Sequence, residues 1–552
     1  MVNLALFKTL GGKQAPQTDT RNSHGAPAYA LAPKHQLAQL AATGCLNNTF
    51  YADAAEQLDA ILILALDSEP EFVAQTAIYA RERGHMKDMP ALLAAVLAVR
   101  DVALLAKVFP RIIDNGKMLR NFVQILRSGT VGRKSLGTRP KKLVQQWLLT
   151  ASEKQLLYAA VGNTPSLADV VKMVHPKPQE DWRAAWFAWL IDKPYEVNKL
   201  PPITAAFERF KHACSIGKDL SRYEQPDVPF QMLTALELST QEWAMIARRG
   251  SWQMVRQNLN TFVRHGVFKL PDMPRKIATQ LRDKKAIAKA RVMPYQLMAA
   301  YLASVGNVPQ EISEALQDAM ELALQNVPEL AGNVVVCPDV SGSMSCPVTG
   351  YRKGASSKVR CIDVAALIAA AILRKNPNAR VLPFEEKVVN IRLNPRDSVM
   401  TNAQKLAAIG GGGTACSAPL ALLNKEKAKV DLVILLSDNE SWMDVNSFKK
   451  DPSTTYYDKR ATGLMQEWET LKKRNPAARM VCLDMVPNKH TQAVERDDIL
   501  NIGGFSDAVF TLLNEFRRGT LGESHYAGDK LGASYWVHQI EKISLDTVEN
   551  SK

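Results

Sequence analysis

The stretch NVVVCPDVSGSM (residues 333–344) decides the fold. A continuous apolar run that ends in small polar residues reads as a strand buried on both faces, its C-terminal end opening into a loop. The chain upstream is different. From about Asp53 to Leu324 one short amphipathic segment follows another, as in KDMPALLAAVLAVRDVALLAKVFPRIIDNGKMLRNFVQILRSG (residues 87–129). Apolar residues recur there at helical spacing, with expected breaks at Pro90, Asp101, Pro110 and Gly116. Helices this short cannot bury their apolar faces alone, so stacked pairs resembling a HEAT or armadillo solenoid are expected, although no clean repeat period is visible.

Beyond residue 344 helical and strand patterns alternate. The reading gives a helix from Lys358 to Arg374, a strand from Arg380 to Phe384, a helix from Asp397 to Ile409 and a strand from Asp431 to Ser437. A helix around Leu464 to Lys472, a strand from Arg479 to Met485 and a last helix from Asp507 to Arg517 follow. Such alternation predicts a mostly parallel sheet with helices on both faces. The expected fold class is therefore α plus α/β: a helical module over residues 1–330, an α/β domain over 331–520, and a tail over 521–552.

With 46% hydrophobic and 22% charged residues, the 552-residue chain has the composition of a folded protein with more than one core. Its most apolar stretches, Ala91–Val99 and Val364–Leu373, fall short of the roughly 20 residues a membrane span needs. The opening MVNLALFKTLGGKQ has neither a charged segment before an apolar core nor a small-residue cleavage site, so a cytoplasmic protein is expected. Seven scattered cysteines without a Cys-x-x-Cys pair signal neither a disulfide framework nor a zinc knuckle. The net charge is +14, and residues 1–330 hold most of it, with 40 Lys and Arg against 30 Asp and Glu. That bias favours a polyanionic partner, nucleic acid ahead of an anionic membrane.

Three oxygen-rich loops fall at expected strand ends, where open α/β sheets bind ligands: Asp339-Val-Ser341-Gly-Ser343, Gly410 to Thr414, and Ser437-Asp438-Asn439. Carboxylate and hydroxyl oxygens suit Mg²⁺, with Mn²⁺ or Ca²⁺ as alternatives. The pattern resembles the metal-ion-dependent adhesion site of von Willebrand factor A domains, a Rossmann-like fold. Asp339, Ser341, Ser343, Thr414 and Asp438 match its ligand positions in order. The competing reading is a Ser/Gly-rich turn and a flexible glycine loop. Neither the dinucleotide nor the P-loop glycine pattern is matched at Gly410–Ser417 or Ser128–Ser135. Asp339 lacks a second carboxylate two residues on, the acid an aspartyl phosphotransferase would use, so binding without catalysis is expected.

In the helical half, GRKSLGTRPKKLVQQW (residues 132–147) places Arg133, Lys134, Arg139, Lys141 and Lys142 before or at the start of a helix. Pro140 suits its first turn, and Leu143, Val144, Trp147 and Leu148 form the expected buried stripe. Cations oppose the dipole at that end, so the arrangement gains from a bound phosphate rather than from folding. The plain alternative is a solvated basic turn. In GNTPSLADVVKMVHPKP (residues 162–178), Leu167, Val170, Val171 and Val174 must face inward, which leaves Lys172 and His175 on the outer side.

These two strings, RVMPYQ (residues 291–296) and the adhesion-type domain resemble the TROVE-module family, typified by the Ro 60 kDa autoantigen and its bacterial orthologues. The resemblance spans essentially the whole chain. It implies a ring-like α-solenoid of HEAT-type repeats closed by the von Willebrand A domain. It also implies a monomer that binds small structured Y-type RNA on an outer basic surface and takes single-stranded 3′ ends of misfolded RNA into the ring. An exoribonuclease such as polynucleotide phosphorylase is an implied partner, in RNA quality control, processing or decay. His175 matches the family's His-x-Lys-Pro motif on the Y RNA face, and Lys172 a basic neighbour. Animal members carry extra basic residues before the position of Asn163, where this chain has Ala159, Ala160, Val161 and Gly162, which implies a different RNA footprint. A metal-dependent protein-binding adaptor is the alternative, and a metal-dependent RNA-processing enzyme ranks last.

Overall fold

The computed structural model describes residues 15–44, 46–49, 51–218, 220–290, 292, 294–324, 327, 329–351, 359–444, 461–504, 509, 510, 512, 513, 516 and 535–546. Cys45, the expected helix start at Lys358, most of the expected helix Asp507–Arg517 and most of the tail lie outside them. The chain separates into two compact units, one of residues 1–64, 292–299 and 320–542, the other of residues 65–291, 300–319 and 543–552. An expected division at residue 330 put the described residues before 65 with the helical module; they group instead with the α/β unit.

The strands of the α/β unit are β1 (Thr20–Arg21), β2 (Pro27–Ala30), β3 (Val334–Pro338), β4 (Arg380–Val381), β5 (Leu432–Ser437), β6 (Arg479–Asp484), β7 (His490–Thr491) and β8 (Ile499–Gly503). A parallel sheet runs β4-β3-β5-β6-β8, with Val335 opposite Val433 and Ile434 opposite Val481. Every residue of β3, β5 and β8 is buried, and β3 and β5 accordingly read as apolar runs rather than alternating ones. The helix Cys361–Lys375 is buried from Cys361 to Leu373, as expected of an element packed against such a sheet. The strand expected over Arg380–Phe384 pairs with β3 at Arg380 and Val381, and the N–H groups of Leu382 and Phe384 go on to donate to the carbonyls of Val336 and Pro338 at 2.8 and 3.1 Å, with Phe384 also bridging Asp339 and Val388. The edge strand β8 and the helix Ala418–Lys425 add to the expected set. A second, antiparallel sheet joins β1, β2 and β7.

The chain leaves β3 toward β4 on one side and reaches β5 on the other. That reversal opens a crevice between the carboxyl ends of β3 and β5, the position at which doubly wound sheets bind ligands. Asp339 follows β3, and Asp438 follows β5.

The second unit is the expected succession of short helices. Asp101 caps the helix Val102–Ile112 by accepting from the backbone N–H groups of Ala103 and Leu104 at 3.0 and 2.9 Å. Ser152 with Gln155, Ser166 with Asp169, and Ser239 with Glu242 form reciprocal capping boxes at three later helix starts. Two expected breaks are not breaks. Pro90 sits in the first turn of Asp88–Arg100, where its missing N–H would have had no intrahelical partner, and Pro110 falls in the last turn of Val102–Ile112. Buried stripes hold the stack, with Phe109 meeting Phe122 edge-on at 5.3 Å. Among the described residues no helix is long and apolar enough to cross a membrane, and the six described cysteines form no disulfide.

Candidate functional site

Five buried side chains meet at the crevice of the α/β unit. Asp339, Ser341, Ser343, Thr414 and Asp438 are each less than one-tenth exposed. The Ser341 N–H donates to Oδ1 of Asp339 at 2.9 Å, Ser437 Oγ donates to Oδ2 at 2.6 Å, and the hydroxyls of Ser341 and Ser343 lie 3.3 Å apart. Backbone bonds fasten the glycine loop to this turn: the Gly342 N–H donates to the carbonyl of Gly412 and the Gly411 N–H to that of Val340, both at 3.1 Å. The Thr414 carbonyl in turn accepts from the N–H groups of Trp442 and Met443, each at 3.0 Å, in the loop after Asp438. The three loops singled out in the sequence therefore form one site.

Burial shapes the electrostatics of the crevice. Oδ1 of Asp438 accepts from the Glu440 N–H at 3.3 Å, while Oδ2 is buried without a hydrogen-bond partner. Burial, and then the charge of Asp339, push the Asp438 carboxyl up to about 8. Burial likewise raises Asp339. Both carboxyls are costly to ionise in this buried space. Among the described residues no group of three or more His, Cys, Asp or Glu side chains is arranged to hold a metal. The donor set is two carboxylates and three hydroxyls, a composition suited to Mg²⁺, which retains several waters.

Sequence reasoning missed part of this surrounding. Glu440, fully buried, accepts from the N–H and hydroxyl of Ser23 at 2.9 and 2.8 Å, and its Oε1 lies 3.0 Å from Nε2 of His490. Asp444 accepts from Ser441 at 2.7 Å and from Ser417 at 2.5 Å. The run Asp438-Asn-Glu-Ser-Trp-Met-Asp444 carried the signal, three acids in seven residues directly after a buried strand.

In the helical unit, the basic segment opens into a cleft of about 730 Å³ at the start of the helix Thr138–Thr150. Arg127, Lys134, Lys141 and Lys142 line it together with Ser135, Leu136, Gly137, Thr138, Gln145 and Met173, and none of these residues is acidic. The helix begins without a side-chain cap and without an acid in its first turn. At its other end the buried Arg183 donates to the carbonyls of Leu148 and Ala151 at 3.0 and 2.7 Å. The negative end is thus satisfied, and the positive end faces the cleft. Gly137 has a φ of 72° and lies against the Arg133 guanidinium, so a side chain there would be both strained and obstructed.

The expected cations divide. Lys134, Lys141 and Lys142 line the cleft, and Arg139 is exposed beside it. Arg133 donates instead to the carbonyl of Ala98 at 3.1 Å and braces the loop. The expected helical stripe is narrower than read: Val144 and Leu148 are buried with Pro140, and Leu143 and Trp147 are half-buried. The next segment folds as expected, with Leu167, Val170, Val171 and Val174 buried and Lys172 and His175 exposed. His175 closes that helix in the left-handed region at a φ of 52°, which turns its side chain away from the last turn. Upstream, the buried Arg120 donates to the carbonyls of Val161 and Pro165 at 2.6 and 3.1 Å. Gly162, at a φ of 111°, packs against that guanidinium, which excludes a basic side chain at this position.

Residues 333–517 match the sequence model of a family described as the Ro60 vWA domain. Over 93% of its length the chain is 23% identical to the RNA-binding protein RO60 of Deinococcus radiodurans, spanning 99% of that protein. Over 44% of its length it is 23% identical to the RNA-binding protein RO60 of Caenorhabditis elegans, spanning 37% of that one. The fold is similar to the crystal structure of the Deinococcus radiodurans RO (RSR) protein, with a TM-score of 0.59 at 20% identity, over 88% of this chain and 100% of the other.

Proposed function

The chain belongs to the Ro60 family through its von Willebrand A domain, and from that membership we propose that it is an RNA-binding scaffold without catalytic turnover. The observation that carries this reading is the cleft at Lys134, Lys141 and Lys142: four cations, no acid and an uncapped helix start converge on one open space of the helical unit. Such a surface recognises phosphate oxygens and gives affinity with little base readout. The finer proposal is a small structured RNA of the Y type held by the cleft, Arg139, Lys172 and His175. Single-stranded 3′ ends of misfolded RNA are the second ligand, and an exoribonuclease is the protein partner, in RNA quality control, processing or decay in the cytoplasm.

The α/β unit is proposed to hold a divalent cation, Mg²⁺ first, through Asp339, Ser341, Ser343, Thr414 and Asp438. The partnerless Oδ2 of Asp438 supports this assignment. A bound cation would neutralise the two carboxylates and keep a position for an outside oxygen ligand. That supports the second reading, a metal-dependent adaptor for a protein carboxylate, which is compatible with RNA on the helices.

The test is a mobility-shift titration of a structured small RNA, with and without a single-stranded 3′ tail, at two salt concentrations. Wild type is expected to bind in a steeply salt-dependent manner. Lys134→Ala/Lys141→Ala/Lys142→Ala is expected to lower the slope of log K on log salt by about 2 to 3, at roughly 0.7–0.9 per lost phosphate contact. No binding by wild type at low salt would sink the RNA reading and leave the adaptor.

A further inference from the structure

Cys346 and Cys361 stand opposite one another just beyond the Asp-x-Ser-x-Ser turn. Pro347 bridges Arg360 in antiparallel fashion. On one side of that bridge the Val348 N–H donates to the carbonyl of Val359 at 3.0 Å, and on the other the Cys361 N–H donates to the carbonyl of Cys346 at 2.9 Å. Residues joined in this way across an antiparallel pair lie about 5.5 Å apart between Cα atoms, inside the roughly 4.4–6.8 Å that a disulfide spans, and their side chains leave the same face.

Both side chains are buried, at 1% and 0% exposure. Burial first, and then the nearby Cys346 and Cys361 sulfurs, raise the Tyr351 phenol, which agrees with both sulfurs lying toward one ring. The pair is also tied to the candidate cation site. The Met344 N–H donates to the carbonyl of Ser341 at 3.2 Å and the Cys346 N–H to that of Ser343 at 3.0 Å, so Cys346 ends the turn that carries both serines. Cys361 is the first residue of the helix Cys361–Lys375, and Asp363 in the same turn holds the Arg360 guanidinium at 2.7 Å. Other cysteines are placed differently: Cys337 and Cys482 stand on β3 and β6 with β5 between them, and Cys214 belongs to the other unit.

We propose that Cys346 and Cys361 are a site of reversible oxidation, which a hydroperoxide converts to an intramolecular disulfide. One sulfur, as thiolate, attacks a peroxide oxygen: an S–O bond forms, the O–O bond breaks, and the other oxygen leaves as water or an alcohol after taking up a proton. The second sulfur then displaces the sulfenic hydroxyl: the S–S bond forms, the S–O bond breaks, and the hydroxyl leaves as water with the proton of the second thiol. Two electrons pass from the sulfurs to the peroxide. Burial slows entry of the oxidant, and the opposed thiol then intercepts the sulfenic acid before more peroxide does. The product fastens the end of the Ser341–Ser343 turn to the helix start and constrains the unfolded chain, so the oxidised protein melts higher than the reduced one.

The test uses the full chain, reduced, freed of reductant and incubated with hydrogen peroxide near neutral pH. Remaining thiols are alkylated in denaturant and the digest is mapped by mass spectrometry. Wild type is expected to yield a Cys346–Cys361 linked peptide that dithiothreitol abolishes, and a melting temperature that rises on oxidation. Cys346→Ser and Cys361→Ser should each lose both the linked peptide and the rise. Where a variant folds poorly, the linked peptide from folded wild type decides alone. Peroxide-treated wild type in which Cys346 and Cys361 remain alkylated, reach sulfinic acid, or are bonded to other cysteines would overturn the inference.

Discussion

The side-chain amide of Gln145 donates to the carbonyl oxygen of Val174 at 2.6 Å, and the same nitrogen lies 3.4 Å from the carbonyl of His175. Gln145 stands on the helix whose first turns carry Lys141 and Lys142, and Val174 ends the helix that presents Lys172 and His175. One hydrogen bond thus couples the two basic segments, which are otherwise some thirty residues apart in sequence. Gln145→Ala is expected to cost about 1 kcal/mol of stability, the net worth of a typical intramolecular hydrogen bond. It should weaken RNA binding by several-fold without changing the salt slope, because no charge is lost. In combination with His175→Ala the effect should be less than additive. Full additivity in binding titrations of the two single variants and the double would show that Gln145 does not act through the His175 turn.

Arg133 and Lys134 are neighbours with opposite assignments. Arg133 is spent on the Ala98 carbonyl, whereas Lys134 lines the cleft. Arg133→Ala should lower the melting temperature, since the Ala98 carbonyl and the loop under Gly137 lose their support, and leave the salt slope of RNA binding nearly unchanged. Lys134→Ala should leave the melting temperature alone and reduce the slope by about 0.7–0.9. Measuring both quantities on both variants decides the matter; a slope change with Arg133→Ala as large as with Lys134→Ala would return Arg133 to the RNA surface.

His35 gives the α/β unit a pH dependence independent of either site. The imidazole is buried with Nε2 lacking a hydrogen-bond partner, and it meets Trp536 edge-on at 5.5 Å. Burial lowers it from 6.5 to about 3. The folded state therefore refuses a proton that the unfolded chain accepts below about pH 6.5. Its contribution to stability is complete above the unfolded value and is lost as the pH falls toward the folded one, at up to about 1.4 kcal/mol per pH unit. Thermal melts between pH 7 and pH 4 should show this loss in wild type and a shallower one in His35→Phe. Parallel curves for the two proteins would count against a neutral buried His35.

The elements legible in the sequence were those whose pattern is set by local burial. The strands β3, β5 and β6 read as apolar runs because parallel strands are covered on both faces, and Leu167, Val170, Val171 and Val174 repeat at helical spacing because one face packs inward. The β1–β2 hairpin was not legible. Its strands are two and four residues long, too short for any period, and the partner strand β7 lies hundreds of residues away. For the same reason the described residues before 65 were read with the helical module rather than with the α/β unit. At the candidate cation site the motif positions carried their own spacing, so the loops from Asp339 to Asp438 that the fold brings together could be picked out. Glu440 could not, since its role depends on Ser23, which only folding brings to it. Arg133 was counted among open cations because no sequence pattern announces the Ala98 carbonyl.

Asp438 and Gly412 separate metal binding from folding and from RNA binding. Asp438 faces Asp339 in a buried setting, so without a cation the pair is a source of strain rather than stability. In EDTA at alkaline pH, where both carboxyls would ionise, Asp438→Asn is expected to melt higher than wild type. Added Mg²⁺ should raise the wild-type melting temperature, since a ligand at a hundred times its Kd contributes about 2.7 kcal/mol, and should do nothing for the variant. Gly412 adopts a φ of 71°, so Gly412→Ala strains the loop whose carbonyl holds the Gly342 N–H and also displaces the Glu385 carboxylate. Gly412→Ala should therefore weaken the Mg²⁺ response by distorting the Ser341–Ser343 turn. Both variants should bind structured RNA with wild-type affinity and salt slope, because the cleft residues belong to the other unit. A lower melting temperature for Asp438→Asn in EDTA would mean that the carboxylate pair is structural, and the cation assignment would fall with it.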